Sequence, residues 1–287
     1  MILSVVIITH NEEANIGRTL ASVKPLVADG KGEVIVVDSG STDRTVEMAE
    51  SFGAKVFVEE WKGYAAQKNS AIDKATGDWI LSLDADEELG PGLAGEVYAA
   101  MHGRLGVDSI EGDSPEVIEK VMAVEEAQAR GETGSPVGFW IPRKNFFLGG
   151  WIKHGGFWPD PKLRLFPKAA AKFEERLVHE DARLIKGVNG RLNQPLLHHS
   201  YPTLADYIDH MNHYSSLGAE MAVAKGRSGF SVFNIVVRPL TTFFYNYFFR
   251  FGFLDGREGL LLHLYHAVYV SWKYAKAWEL ARSKQSM

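Results

Sequence analysis

The chain has 287 residues, 46% hydrophobic and 23% charged, a composition typical of a globular protein and not of a disordered one. It has no cysteine, which excludes disulfides, thiolate metal sites and cysteine nucleophiles and is consistent with a reducing compartment. The net charge of −5 is unevenly distributed along the chain. Residues 225–287 contain nine Lys and Arg and three Asp and Glu, a net charge of +6, so the first 224 residues carry −11. This asymmetry predicts two partners of different charge.

The first hundred residues alternate strand-like and helix-like segments. The N-terminal stretch MILSVVIITHNEE is short and has no basic segment, so it predicts a first core strand and not a signal peptide. Strands buried on both faces, with helices between them, predict an α/β fold with a mostly parallel sheet. Apolar runs and helical spacing place four strands and three helices here: strands at 4–9, 33–38, 55–58 and 79–83, and helices at 16–23, 41–52 and 64–75.

The middle of the chain is more polar. Residues 89–136 have a helical pattern, which includes an amphipathic helix at 114–131 that begins at a Ser-Pro cap. Strand patterns return at 137–142 and 163–167, and a helix is predicted over 202–225.

The last sixty residues are dense in Phe, Tyr, Leu and Trp, but Arg238 and Arg250 interrupt the apolar runs. No run reaches the roughly 18 apolar residues that a membrane-spanning helix needs. Aromatic helices carrying Lys and Arg are typical of segments that lie in the plane of a membrane surface. The alternative is a pair of helices packed on the domain or across a dimer interface.

Polar residues follow three of the predicted strands at the carboxyl ends, where ligands of parallel sheets collect. Thr9 and Glu12 follow the first strand, Asp38 ends the second, and Asp84 and Asp86 close the fourth. Residues two apart on an extended backbone point the same way, so Asp84 and Asp86 are expected to face one cavity while Ala85 points back. Carboxylate oxygens favour Mg²⁺ or Mn²⁺, and the alternative is a solvated acidic turn.

Two enzyme classes fit poorly. The slot after the first strand holds THNEEANIG and lacks the G-x-G-x-x-G of a dinucleotide-binding enzyme. The same slot is acidic, whereas a sugar nucleotidyltransferase needs a glycine-rich basic loop for a triphosphate.

Four stretches, SVVIITHNEEANIGRTLASV, VIVVDSGSTDRTVEMAE, GYAAQKNSAIDKATGDWILSLDADEEL and LVHEDARL, resemble the successive motifs of glycosyltransferase family 2. The resemblance implies inverting nucleotide-sugar chemistry on a GT-A fold. Later stretches, among them FLGGWIKHGGFWPDPKLRLFP and LLHHSYPTLADYIDHMNHYS, resemble the branch that contains lipopolysaccharide-core β-1,4-glucosyltransferases. We therefore expect a GT-A catalytic domain at 1–225 and an amphipathic helical region at 226–287 that contacts a membrane surface or a dimer partner.

The resemblance also implies roles for the donor-site residues. Thr9 and Glu12 would line the nucleotide pocket, with Glu12 near the ribose or base, and Asp38 would accept from the uracil N–H. Lys68 would lie near the nucleotide or its phosphates, unless it is an ordinary surface lysine. Asp84 would contact ribose and metal, and Asp86 would be the principal metal ligand. The resemblance implies no role for Glu87 and Glu88, which we interpret as solvated acids.

The sequence HED falls where the family keeps its catalytic base, so either Asp181 or Glu180 would take the proton of the acceptor hydroxyl, with Asp181 favoured. His198 would donate to the diphosphate or complete the metal shell, or is simply packed. Trp151, Trp158 and Arg164 would flank the acceptor cleft. Aromatic faces stack on sugar rings, and the alternative is that the tryptophans simply belong to the core.

One alternative is a non-catalytic, membrane-associated sugar-nucleotide-binding protein. Together with the resemblance, however, these observations predict a metal-dependent inverting glycosyltransferase. It would move a hexose, with glucose favoured, from a UDP-sugar to a hydroxyl of a cell-envelope glycan or lipid-linked acceptor such as lipopolysaccharide core. We expect Mn²⁺ or Mg²⁺ as the cofactor, a peripheral location at the cytoplasmic face of the inner membrane, no nucleic-acid partner, and a homo-oligomer as one possible state.

Overall fold

The computed structural model describes residues 1–103, 138–174, 182–184 and 189–285. These residues form two compact units, one made of 1–103, 138–143, 161–174, 182–184 and 189–198 and one made of 144–160 and 199–285. The helix expected at 114–131 and the two candidate bases, Glu180 and Asp181, lie outside the described residues. The functional division expected at residue 225 stays a prediction.

The described elements follow the predicted order in the first hundred residues, with bounds that differ by a few residues at the ends. The strands are β1 (Leu3–Thr9), β2 (Gly32–Asp38), β3 (Lys55–Val58), β4 (Trp79–Asp84), β5 (Glu87–Leu89), β6 (Gly138–Ile141), β7 (Arg143–Phe147), β8 (Gly150–Trp151), β9 (Lys162–Pro167), β10 (Ala171–Phe173), β11 (Ala182–Leu184), β12 (Asn189–Arg191) and β13 (Leu196–Tyr201). The helices are α1 (Ile16–Val27), α2 (Thr45–Phe52), α3 (Tyr64–Lys74), α4 (Leu93–Met101), α5 (Leu204–Ala224), α6 (Arg238–Phe244) and α7 (Gly256–Gln285).

A seven-stranded sheet in the order β12-β6-β9-β4-β1-β2-β3 forms the centre of the first unit. Strand β1 pairs in parallel with both β2 and β4, and β2 pairs in parallel with β3. Strand β9 lies antiparallel between β4 and β6. The predicted mixed α/β fold with a mostly parallel sheet is confirmed, and the parallel register brings the carboxyl ends of β1, β2 and β4 to one edge.

Alternate residues of β1 enter two different cores, one on each face of the sheet. Val5 and Ile7 pack in one cluster with Leu20 of α1, whereas Val6 packs in the other with Ile72 of α3. Both faces of the strand are therefore apolar, which is why the sequence is a continuous hydrophobic run instead of an alternating one. This layering fixes the sheet edge on which the polar residues stand.

The second unit is mainly helical. Helix α5 begins at a capping box, in which Thr203 and Asp206 satisfy each other's backbone N–H groups. A continuous helical segment at residues 232–249, here called the aromatic helix, consists of α6 and two wider turns at Phe233–Val237 and Tyr245–Phe249. Within the described part of the chain, no helix combines the length and apolarity that a crossing of the bilayer requires.

Candidate functional site

The ends of β1 and β2 are joined through the carboxylate of Asp38. Its Oδ2 accepts from the hydroxyls of Thr9 at 2.8 Å and Ser41 at 2.5 Å, and its Oδ1 accepts from the backbone N–H groups of Gly40 and Ser41. Asp38 is 0% exposed. A carboxylate has about four lone-pair sites, so these four bonds fill it. The uracil contact implied for Asp38 stays a prediction, and it would require one of these bonds to be given up.

The loops that follow β1 and β2 are interlocked by hydrogen bonds. Asn11 donates its backbone N–H to Ser41 Oγ at 2.8 Å, and its side-chain oxygen accepts from the backbone of Thr42 at 2.8 Å. The backbone N–H of Glu12 donates to Thr45 Oγ1 at 2.7 Å. Asn11 has a φ of 56°, a left-handed conformation that asparagine tolerates better than most residues. The site therefore has a rigid wall built from both loops.

Glu12 is held beside the acidic end of β4. Its Oε2 accepts from Asn15 Nδ2 at 2.9 Å. Burial and the neighbouring charges of Asp86 and Asp84 raise the pKa of Glu12 above its ordinary value. The predicted grouping of Glu12 with the two aspartates is thus present in the structure.

Asp84 is neutralised by two cations of the protein. Lys68 Nζ lies 2.8 Å from Asp84 Oδ1, and a guanidinium nitrogen of Arg164 lies 2.5 Å from Oδ2. Burial by itself would raise the pKa of Asp84, but the charges of Arg164 and Lys68 hold this pKa well below its ordinary value. Lys68 is 4% exposed, so the alternative that it is a surface lysine is wrong.

Glu87 is a buried member of the same cluster, and the expectation that it is only solvated is wrong. Its side chain is 0% exposed. Its Oε1 accepts from Arg164 at 2.6 Å and Arg143 at 3.0 Å, and its Oε2 accepts from the backbone N–H of Asp84 at 3.0 Å. Burial would lower the pKa of Arg164, but Asp84 and Glu87 raise it. Asp84 and Glu87 can be buried close together because arginine and lysine side chains neutralise their charges.

Asp86 has a different partner from Asp84. Its Oδ2 lies 3.1 Å from Nε2 of His198, and both side chains are partly exposed. Strand β13 pairs with β5 so that His198 stands opposite Glu87, next to Asp86 in the chain. Burial would raise the pKa of Asp86, but the interaction with His198 lowers it. Ala85 points back into the core, as predicted, and its carbonyl accepts from Thr19.

The fit of this edge to a divalent cation can be judged from its side chains. Among the described residues, no group of three or more histidine, aspartate and glutamate side chains is already arranged to hold a metal ion. The carboxylate of Asp84 is engaged by two cations, whereas Asp86 and His198 offer an oxygen and a nitrogen donor at a partly exposed position. This pair fits a cation that takes its remaining ligands from phosphate oxygens and water, as Mg²⁺ commonly does.

The residues expected at the acceptor cleft have different surroundings. Arg164, in the first unit, is buried in the acid cluster. Its geometry favours a role in holding Asp84 and Glu87, and its contact with an acceptor stays a prediction. Trp151, in the second unit, packs edge-on against Trp158 with ring centroids 5.5 Å apart, and the ammonium of Lys144 lies 4.4 Å from its ring centroid.

Several residues of the site have no signal in the sequence. Arg143 and Arg164 stand in strands far from Glu87 in the chain. The sequence around an arginine in a strand does not show whether that arginine is a buried counter-ion. Asn11 and Thr45 look like ordinary loop and cap residues. Of the two glutamates without an implied role, only Glu88 behaves as the sequence indicated, because it is partly exposed and forms a surface ion pair with Arg18 at 3.4 Å.

Comparison with known proteins agrees with this architecture. The model of the family Glycosyl transferase family 2 matches residues 4–133. An uncharacterized glycosyltransferase of Rickettsia felis is 31% identical over 99% of this chain and 90% of its own. The lipopolysaccharide core biosynthesis glycosyltransferase LpsC of Rhizobium meliloti is 25% identical over 96% of this chain and 92% of its own. The chain belongs to glycosyltransferase family 2.

A solved structure gives a weaker likeness over the whole chain. TarS of Staphylococcus aureus in complex with UDP is 17% identical, covers 99% of this chain and 92% of its own, and has a TM-score of 0.47. Family membership confirms the resemblance stated from the sequence and the GT-A class of the fold. The protein is therefore a glycosyltransferase.

Proposed function

We propose that this glycosyltransferase moves a hexose, with glucose favoured, from a UDP-sugar to a hydroxyl of a cell-envelope glycan or lipid-linked acceptor such as lipopolysaccharide core, with inversion at the anomeric carbon. The choice of acceptor is supported by the likeness to LpsC along nearly the whole chain. The choice of donor is supported by the family motifs around Asp38 and Asp84.

The observation that carries the proposal is the arrangement at the end of β4. Lys68 and Arg164 compensate Asp84, and Asp86 stands beside His198 at the same edge. Three cations, Lys68, Arg143 and Arg164, contact the carboxylates of Asp84 and Glu87. A sheet edge with fixed cations and two partly exposed carboxylates suits a diphosphate together with a divalent ion.

We assign Asp86 and His198 as the residues that hold the Mn²⁺ or Mg²⁺. When bound there, the ion neutralises negative charge on the departing diphosphate. The pairing of Asp84 with two cations leaves it suited to accept a hydrogen bond from ribose while it orients the Lys68 ammonium. Glu87 keeps Arg164 and Arg143 in place and bonds the backbone at Asp84, so it acts as a positioning residue.

The transfer itself requires the acceptor hydroxyl to attack the anomeric carbon on the face opposite the departing UDP. The C–O bond to the diphosphate breaks as the new glycosidic bond forms, and the hydroxyl proton passes to a carboxylate. We assign that carboxylate to Asp181, with Glu180 as the alternative. Both belong to the HED sequence, which lies outside the described residues.

The proposal is tested by measuring release of the nucleoside diphosphate (UDP, GDP or dTDP) from a panel of UDP-, GDP- and dTDP-sugars, each with and without Mn²⁺ and with lipopolysaccharide-core acceptors. We expect UDP-glucose to support release only when both the metal and the acceptor are present. Binding of UDP-glucose in a thermal-shift assay without release under any acceptor condition would favour a non-catalytic sugar-nucleotide-binding protein. Preference for a GDP- or dTDP-sugar would contradict the assigned donor.

A further inference from the structure

The aromatic helix (residues 232–249) is rich in apolar residues, and yet most of its residues are exposed. Pro239 is its only buried residue. Phe233 is 60% exposed and Phe249 is 75% exposed. Monomeric soluble proteins rarely expose a continuous apolar surface of this kind unless it contacts a partner or a membrane. The helix therefore needs an explanation that the sugar-transfer site does not provide.

The exposed residues of the aromatic helix recur in pairs every four positions. The pairs are Val232/Phe233, Val236/Val237, Leu240/Thr241, Phe244/Tyr245 and Phe248/Phe249. On a regular α-helix a four-residue repeat drifts around the axis by about 40° at each step, because one turn holds about 3.6 residues. Such a stripe would wind around the helix, so a flat surface could not contact it along its whole length.

Two wider turns counter this drift. The backbone N–H of Arg238 donates to the carbonyl of Phe233, and that of Arg250 donates to the carbonyl of Tyr245, each five residues back. Such turns hold more residues than an α-helical turn and are found often at functional sites. Because they unwind the helix twice, the five pairs stay along one face.

The opposite face of the aromatic helix is fixed to helix α7. The hydroxyl of Ser271 donates to the carbonyl of Ile235 at 2.8 Å. The guanidinium of Arg238 donates to the hydroxyl of Tyr274 and also lies over its ring. These contacts decide which face of the aromatic helix points outward, so the exposed stripe is a property of the folded unit.

The charge around the stripe is of one sign. From residue 225 to residue 254 the chain has no Asp or Glu. Its four basic residues, Lys225, Arg227, Arg238 and Arg250, are all exposed. A second copy of this chain meeting the stripe through a two-fold axis would bring the same positive charges together. Anionic lipid headgroups would complement them, at about 1 kcal/mol for each Lys or Arg near the surface.

We propose that the exposed stripe of the aromatic helix binds a bilayer that contains anionic lipid, with the helix lying in the plane of the membrane surface. The Phe, Val and Leu side chains enter the boundary between headgroups and acyl chains, and Lys225, Arg227 and Arg250 contact the headgroups. The inference is independent of the proposed donor and metal, because membrane binding needs neither.

Sedimentation of the full-length protein with vesicles tests the proposal, using phosphatidylcholine alone and phosphatidylcholine with phosphatidylglycerol. We expect the protein to sediment with the anionic vesicles, and the Phe244→Ser/Phe249→Ser variant to lose about tenfold or more in partitioning. Tyr98→Ser removes an aromatic side chain of α4 that is 48% exposed, close to the 51% of Phe244, so it is the control and should bind like the unmodified protein. Circular dichroism checks that each variant is folded.

A charge variant separates the two contributions. Lys225→Ser/Arg227→Ser should weaken binding to the anionic vesicles by about tenfold or more and reduce its dependence on salt. Failure of the unmodified protein to sediment with anionic vesicles would overturn the proposal, as would unchanged binding of the Phe244→Ser/Phe249→Ser variant. If analytical ultracentrifugation instead shows a dimer that this variant dissociates, without any vesicle binding, the stripe is a contact between copies and the proposal is wrong.

Discussion

The ammonium of Lys68 lies 2.8 Å from Oδ1 of Asp84, although the two residues stand on a helix and at the end of a strand. This contact makes the acidic end of β4 compatible with burial, because Asp84 would otherwise repel Glu87 and Asp86. It also places a positive charge at the sheet edge where the donor diphosphate is proposed to bind.

Removal of this ammonium should cost both stability and donor affinity. We expect Lys68→Met to lower the free energy of unfolding by about 1–3 kcal/mol, because it leaves a mostly buried carboxylate with one counter-ion. UDP affinity should fall as well. Urea denaturation and isothermal titration calorimetry with UDP measure the two effects.

Lys62→Met is the matched control for this prediction. Lys62 lies two residues before the same helix, its side chain is 53% exposed, and its ammonium lies 3.2 Å from a carboxylate oxygen of Glu59. Exposed ion pairs contribute up to about 1 kcal/mol, so the control should lose little stability and keep its UDP affinity. Equal losses for the two variants would show that the Lys68–Asp84 pair has no special role.

Replacement of Asp86 by Asn tests the metal assignment. The amide keeps the shape of the side chain but removes its charge, so metal-dependent UDP binding should weaken by more than about tenfold, with turnover lost. The fold should persist. Calorimetry of UDP binding with and without Mn²⁺ is the measurement, and Glu88→Gln, two residues away in a surface ion pair, is the control. A variant that still binds UDP more tightly with Mn²⁺ would refute the assignment.

The choice between the two candidate bases can be made from a pair of variants. Asp181→Asn should lower kcat by roughly 10²- to 10⁴-fold, the usual effect of a general base, and leave UDP affinity unchanged. Steady-state UDP release together with calorimetry gives both quantities. If Asp181→Asn retains activity and Glu180→Gln loses it, Glu180 is the base.

Glu33 should make stability depend on acid pH. Its carboxylate accepts from Ser4 Oγ at 2.7 Å, from the backbone of Thr76 at 2.6 Å and from Lys55 Nζ at 2.6 Å. Burial alone would raise the pKa of Glu33, but these hydrogen bonds lower it to about 2. The stabilisation is therefore complete above its ordinary pKa of about 4.3 and is lost as the pH falls toward 2.

Glu33→Gln should lower the free energy of unfolding at pH 7 by about 1–3 kcal/mol. The variant and the unmodified protein should converge as the pH falls from about 4.5 toward 2. Urea denaturation over this pH range measures the convergence. Glu47→Gln, at an exposed surface pair with Arg44, should change little at any pH. A constant difference between Glu33→Gln and the unmodified protein at all pH values would contradict the prediction.

The alternation of strands and helices in the first hundred residues could be predicted because it rests on local patterns. The continuous apolar run at 34–37 is typical of a strand covered on both faces, and β2 is such a strand. The three polar strand ends followed from the parallel arrangement. The contacts among them, such as the Thr9–Asp38 bond, required the register of the sheet.

The counter-ions of the acid cluster could not be predicted in the same way. Arg164 and Glu87 are 77 residues apart and meet at 2.6 Å. Their meeting depends on β9 entering the sheet next to β4, a pairing that no local pattern encodes. Likewise, composition indicated an aromatic, basic region near the C-terminus. The single exposed face of the aromatic helix follows from its two wider turns and its packing on α7.

The sequence by itself determined the family, the α/β class and the set of polar residues at the strand ends, because these depend on short motifs and on periodicity along the chain. Only the tertiary structure decided that Glu87 is a buried anion, that Lys68 and Arg164 neutralise Asp84, and that Asp86 stands with His198. Charges separated by tens of residues stabilise or repel one another according to their distance and burial, and those quantities exist only once the strands have paired.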